Sequence, residues 1–265
     1  MHRPAPAVTC SRYTAARGCI ADVARLAAGI PLFPVERTMP LAALAAARAA
    51  ATPRIGWAAV FLKAYAIVAA EMPVLRTWLA RGPAGLRPRL ATSGQSVATL
   101  AVNRSEEGED RLFWGRLAEP DARPLADVQQ FVIDCGTKPV EEVFKRQLQL
   151  EMVPGLLRRT ILRWNMHSVS RKRAARIGTF SLSTLAGLGA TNRFHPTICT
   201  TSLSYAPLDA AGNCLVTLIA DHRVLDGAAA ARALDRLEQV LVGRMHAELT
   251  ALAEAPRPAG RPAAA

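Results

Sequence analysis

The chain has 265 residues, of which 51% are hydrophobic and 20% charged, and its formal net charge is +12. That balance supports a sizeable core and excludes a disordered chain. Five scattered cysteines without a CxxC pair exclude a disulfide framework and a zinc site of recognised spacing.

The longest apolar stretch, Trp57 to Ala70, is interrupted by Lys63 and is too short to cross a bilayer. The expectation is a cytoplasmic protein with reduced thiols, at most peripheral to a membrane. Residues 1–30 read as an N-terminal extension, 31–250 as one folded domain, and 251–265 as a flexible Pro/Ala tail.

Ile20 to Gly29 is predicted as a short helix, followed by an extended segment from Pro31 to Arg37. Leu41 to Ala51 is an Ala-rich helix. Arg54 to Met72 is a more apolar one, ended at Met72 because a residue before proline avoids the helical region. A Gly/Pro stretch from Arg81 through Pro88 leads to a strand at Val97–Val102, a charged turn at Asn103–Asp110 and a partner strand at Arg111–Leu117. Helices are predicted over Leu125–Asp134 and Pro139–Glu151.

Between Pro154 and Gly178, six arginines and Lys172 interleave with Leu156, Leu157, Ile161, Leu162, Trp164 and Met166, the pattern of a basic amphipathic helix. Strands follow at Gly178–Thr184, Thr197–Tyr205 and Cys214–Ala220, the last two joined by a turn at Asp209–Asn213. Ala228–Leu249 closes the fold as a helix with Leu234, Leu237, Leu241 and Met245 on one face. Helices and strands in separate blocks, with no Gly-rich phosphate loop, predict an α+β sandwich instead of a doubly wound nucleotide fold.

The chemistry concentrates at Asp221-His222-Arg223-Val224-Leu225-Asp226-Gly227, where a buried strand meets a helix. An imidazole there can take a proton from a thiol or hydroxyl and return it to a leaving group. A lone histidine at a strand end is more often merely satisfied by the backbone; the His-x-x-x-Asp-Gly spacing in this context favours a general base. Asp226 can cap the helix and can pair with a buried arginine such as Arg37 or Arg223. Among the other histidines, His195 is weighed only as a substrate contact. The strand Gly178-Thr179-Phe180-Ser181-Leu182-Ser183-Thr184-Leu185 presents several hydroxyls ahead of that loop.

The His-x-x-x-Asp-Gly loop resembles the catalytic loop of chloramphenicol acetyltransferases and of dihydrolipoamide acyltransferase catalytic domains, and the flanking Asp221 and Arg223 favour the second branch. The Gly178–Leu185 strand is similar to the Gly-Thr-Phe-Thr-Ile-Ser-Asn-Leu strand of the dihydrolipoamide acyltransferases. The resemblance runs from Pro31 to Met245.

It implies an α+β, two-layer sandwich of chloramphenicol acetyltransferase type, with a mixed sheet flanked by helices and 31–250 as the acyltransferase catalytic domain. It implies a homotrimer with active sites between subunits. It also implies a coenzyme A thioester as co-substrate, no metal, and no covalent acyl-enzyme. In this resemblance His222 is the base, Ser183 holds the oxyanion, and Asp226 is chiefly structural.

No lipoyl domain precedes the fold in this sequence, so no covalently attached lipoyl group is expected in this chain. The hydroxyl-rich run Thr197–Tyr205 sets Thr200, Ser202 and Ser204 on one strand face, as the lining of a substrate channel or as a plain sheet surface.

The basic segment at 154–176 has several readings: a solvated face, a surface for anionic membranes, or a dock for an acyl carrier protein or the phosphates of coenzyme A. Nucleic acid is disfavoured by the scarcity of aromatics. The expected function is a stand-alone acyltransferase moving an acyl group from coenzyme A, or a carrier thioester, to a small-molecule or lipid acceptor. Its rival is a non-catalytic trimeric scaffold that recruits an acidic partner or membrane through the basic segment. Lipoyl-linked transfer, with the swinging domain on another polypeptide, is a third reading.

Overall fold

The structure, a computed structural model, describes residue 10 and residues 13–81, 87–106 and 108–254. Residues 1–9 of the predicted extension, most of the Gly/Pro stretch at 82–86 and residues 255–265 of the predicted tail lie outside the described residues. In chain order the strands are β1 (Leu32–Pro40), β2 (Thr77–Arg81), β3 (Pro88–Thr92), β4 (Val97–Glu106), β5 (Glu109–Ala118), β6 (Phe180–Leu182), β7 (Thr201–Tyr205) and β8 (Asn213–Asp221). The first helices are α1 (Ala15–Ala27), α2 (Ala42–Ala50), α3 (Trp57–Glu71), α4 (Leu125–Thr137) and α5 (Val140–Val143). They are followed by α6 (Lys145–Glu151), α7 (Gly155–His167), α8 (Lys172–Ile177), α9 (Gly227–Val240) and α10 (His246–Glu254).

The apolar run of β8 lies between β1 and β7 and is antiparallel to both. Beyond β7 the sheet continues in parallel through β6 to β4, and β4 turns back antiparallel into β5, giving the order β1-β8-β7-β6-β4-β5. One face carries the main core. There α3, buried along nearly its whole length, stacks Phe61 on Tyr205 with ring centroids 4.3 Å apart and sets Tyr65 edge-on to Phe180 at 4.8 Å. The Tyr65 hydroxyl donates to Thr201 Oγ1 at 2.9 Å, so the helix is registered on the sheet by a polar contact as well as by area.

Lys63, which breaks the apolar run of α3, is buried and reaches both carboxylate oxygens of Glu248 at 2.6 and 2.7 Å. The same carboxylate accepts the Leu125 N–H at the start of α4, where the helix dipole also favours an anion. One ion pair thereby ties α3, α4 and α10.

The structure differs from the sequence reading at several elements. The basic segment is two helices, α7 and α8, separated by Ser168–Arg171. Its charges are partly internal. Arg158 is buried against Asp22 at 2.8 Å, and Arg173 is buried with its guanidinium 4.7 Å over the Trp78 ring. These cations fix helix positions and are not available to a partner.

The predicted C-terminal helix is also divided, with a π-helical turn at Leu241–Met245 between α9 and α10. The β2–β3 ribbon is not legible in the sequence, because both of its strands are short and both border the Gly/Pro stretch. The region read as an extension contains α1, which packs on α7, α6 and β5. Ala251–Glu254, read as the start of the tail, are the last turn of α10.

Glu248→Ala leaves the Lys63 ammonium buried without a partner and should cost about 3 kcal/mol in urea unfolding. Lys63→Met leaves the carboxylate its amide donor and some solvent, so it should cost less. Equal costs for the two variants would show that the pair contributes no more than its packing.

Candidate active site

The strand β8 ends at Asp221, whose carboxylate is buried. It accepts the Arg223 backbone N–H at 3.0 Å and the Arg223 guanidinium at 2.9 and 2.8 Å. Its carbonyl accepts the N–H groups of Val224 and Leu225, and the Leu225 side chain enters the core. This closed turn directs the intervening His222 outward.

The His222 backbone N–H donates to the Pro31 carbonyl at 3.0 Å, extending the β1 ladder, while its side chain is 56% exposed. The imidazole rests against Phe33, with ring centroids 4.7 Å apart, and Nδ1 lies 3.6 Å from Asp226 Oδ1. Asp226 occupies the N-cap position of α9 in extended backbone, but its side chain makes no capping hydrogen bond and is 86% exposed.

The expected arginine partner for Asp226 is therefore corrected. Arg223 is taken by Asp221, and Arg37 by Glu238 and Asp235 on α9. Among the described residues the Asp226 carboxylate has only the His222 imidazole within 4 Å as an ion-pair partner.

The sheet face turned away from the main core carries a second set of polar groups. Residues directly opposite one another on neighbouring strands share a face. The register aligns Arg116, Thr99, Ser181 and Ser202 in one row across β5, β4, β6 and β7.

Ser181 Oγ donates to Ser202 Oγ at 2.7 Å, and Ser202 Oγ lies 2.7 Å from His195 Nε2. Burial pushes the His195 imidazole down to about 4. The Asn192 amide donates to Nδ1 at 3.2 Å, which leaves the proton of the neutral ring on Nε2, so His195 and Ser181 both donate to Ser202 Oγ and the three side chains form one hydrogen-bonded chain. Sequence spacing could not have found this relay, because it joins a loop histidine to two strands.

Above the row, α1, α6 and α7 roof a cavity of about 520 Å³. Ser181, Ser183 and His195 all line it. Ser183 follows the last residue of β6; its backbone N–H donates to the Leu203 carbonyl at 3.0 Å. Its hydroxyl has no hydrogen-bond partner among the described residues, so it is free to donate to a ligand.

His222 and Ser183 are not brought together within one chain. Ala220 is opposite Thr201, which is level with Phe180, and β6 runs away from that end. Ser183 falls beside Ser204, opposite Thr217, five residue rows from His222 or roughly 16 Å along the strands.

Thr200, Ser202 and Ser204 do not form an open channel wall in this chain. Thr200 precedes β7 and donates to the Thr77 carbonyl, Ser202 belongs to the relay, and Ser204 is buried with its Oγ unpartnered. Among the described residues no group of three or more His, Cys, Asp or Glu side chains is placed to hold a metal ion.

No family model matches the chain, and no curated protein matches it in sequence. Solved structures do share its fold. A probable dihydrolipoamide acetyltransferase from Listeria monocytogenes superposes with a TM-score of 0.65 at 14% identity, over 89% of this chain and 94% of that one.

The Azotobacter vinelandii dihydrolipoamide acetyltransferase gives 0.63 at 18% identity, over 94% and 100%. That structure belongs to an investigation of the roles of a serine, a histidine and an asparagine in its own catalytic mechanism. The cubic core of the pyruvate dehydrogenase multienzyme complex gives 0.61 at 19% identity, over 94% and 100%. The chain has the fold of these acetyltransferase cores.

The depressed His195 value carries a pH dependence. Between about pH 6.5 and about 4 the unfolded chain binds a proton at this histidine and the folded chain does not. Stability contributed by the neutral ring is therefore lost as the pH falls through that window. His195→Gln should lose less stability than the parent in urea unfolding over the same range; identical slopes would mean the ring titrates normally.

Proposed function

We propose that this chain is an acyltransferase that moves an acyl group from coenzyme A, or from a carrier thioester, to a small-molecule or lipid acceptor. The observation that carries the reading is the opposed placement of two uncommitted groups. One is an exposed imidazole at a rigid strand–helix turn, and the other is a strand-end hydroxyl without a partner, out of its reach in the same chain. A second copy of the chain can complete such a site. The fold is shared with a core of cubic assembly, and a cube has three-fold axes at its corners, which supports a homotrimer.

In this reading Asp226, beside Nδ1, favours the tautomer that leaves Nε2 free to accept a proton. His222 deprotonates the acceptor thiol, hydroxyl or amine as it attacks the thioester carbonyl. The tetrahedral oxyanion takes a hydrogen bond from Ser183 of the neighbouring copy. The carbon–sulfur bond then breaks, and the imidazolium returns its proton to the departing sulfur.

No cysteine is required as a nucleophile. Burial pushes the Cys19 thiol up to about 11, and the Cys135 and Cys214 thiols up to about 12, keeping them protonated.

The scaffold reading retains one specific observation. Met152, Leu156, Leu157 and Trp164 are exposed together beside Arg163 on and next to α7, an arrangement that suits an anionic membrane or an acidic carrier protein. Binding to anionic vesicles without acyl transfer from any of several acyl-coenzyme A species would favour it over the enzyme.

His222→Ala should lower turnover by about 10²–10⁴-fold and Ser183→Ala by about 10²–10³-fold, with the oligomer unchanged by light scattering. Parent-like turnover in either variant removes that residue from the mechanism. Co-expression of the two inactive variants supplies a sharper test. Random mixing of chains restores about one intact seam in four if the site is shared between copies, and none if it lies within one chain.

A further inference from the structure

The cavity over the outer sheet face has an unusual charge balance. Arg116, Arg146 and Arg176 line it, and among the described residues no aspartate or glutamate does. Most of the remaining wall is apolar, with Ile20, Val23, Leu112, Trp114, Ile161 and Leu162 among its residues.

The three arginines are not equivalent. Arg146 and Arg176 are exposed, and Arg176 donates to Asn165. Arg116 projects from the middle of β5 in the row with Thr99 and Ser181. Its Nε is closed off from solvent without a hydrogen-bond partner, and its guanidinium makes no hydrogen bond or ion pair among the described residues. Other internal arginines of this chain are engaged: Arg158 holds Asp22 and Arg173 lies on Trp78.

An unpaired guanidinium inside an apolar wall is costly for the empty protein. Burial, reinforced by the like charge of Arg146, holds its pKa below the ordinary value. The cost is recovered when an anion enters, because a carboxylate matches the planar fork of the guanidinium with two parallel hydrogen bonds. A diphosphate suits the position less well: a multiply charged group would give up more hydration than one recessed cation returns. The volume, about 520 Å³, lies in the range of small-molecule sites.

We infer that this cavity is a binding site for an apolar monocarboxylate, a fatty or aryl acid whose carboxylate pairs with Arg116 and whose body lies against Val23, Leu112, Ile161 and Leu162. The carboxylate end then sits on the polar row, beside the hydroxyls of Ser181 and Thr99, and the hydrocarbon runs under α1 and α7. Binding at this site does not depend on thioester chemistry at His222.

Titration calorimetry with decanoate and decanol on the full chain tests it, in an assay that contains no thioester. The parent should bind decanoate at least about tenfold more tightly than decanol. Arg116→Gln should lose that preference while keeping decanol binding, which also reports that the cavity is intact. Val23→Trp, which fills the cavity, should weaken both ligands.

Equal affinities in the parent, or no saturable binding of either, overturns the inference, and neither result depends on a variant folding. A decanoate preference that survives in Arg116→Gln, or decanoate binding untouched by Val23→Trp, overturns it as well. Loss of acyl transfer in a separate assay leaves it standing, so the two readings fail independently.

Discussion

The buried carboxylate of Asp221 sets the geometry on which the reactive end of the molecule depends. It closes a strand that is covered on both sides, and a carboxylate in that position would be costly without a cation. Arg223 supplies one from two residues away, by folding back onto both oxygens. The chain has to turn at once to allow this, and Leu225 then drops into the core. His222 lies inside that turn with its backbone committed to Pro31, so its ring is left at the surface. The exposure of the imidazole follows from the pairing of its neighbours.

The sheet behind this turn has two unlike faces, and β7 shows the division in five residues. Thr201, Leu203 and Tyr205 face α3 and the aromatic core, where the Thr201 hydroxyl is satisfied by Tyr65. Ser202 and Ser204 face the other way. On that side β6 adds Ser181, with Ser183 just past its end, β4 adds Thr99 and β5 adds Arg116, so polar groups from four strands meet under a roof of helices.

Gly178 makes the approach of β6 to β4 feasible. It has φ +97°, and a Cβ there would collide with Thr99 Oγ1. The glycine that opens the Gly-Thr-Phe signature thus has a packing reason of its own.

The two histidines occupy contrasting environments. His222 is open to solvent and to any neighbouring copy, with a carboxylate beside one nitrogen. His195 is recessed, kept neutral by desolvation, and bonded through Ser202 to Ser181. The positive charge of the chain is similarly divided. Arg158 and Arg173 hold helices in place, Arg37 on β1 binds carboxylates of α9, Arg223 binds Asp221 at the end of β8, and Arg116 stands in the cavity unpaired among the described residues. A net charge of +12 therefore does not describe a single basic surface.

Read by itself, the sequence determined most of the helices, the long strands and the strand–turn–helix setting of His222. Each of these rests on periodicity or on chemistry between residues close along the chain. It also indicated the acyltransferase-type sandwich through two short signatures, and the solved acetyltransferase cores share that fold.

Only the tertiary structure decided that Asp226 has no arginine partner among the described residues, that the basic segment breaks into two helices with internal charges, and that His195 reaches Ser202. It alone separated His222 from Ser183 and gathered Arg116, Thr99 and Ser181 into one row. Those outcomes depend on strand order and register, which are set by packing between residues far apart in sequence. No local pattern in the chain records which side chains will face each other across the sheet.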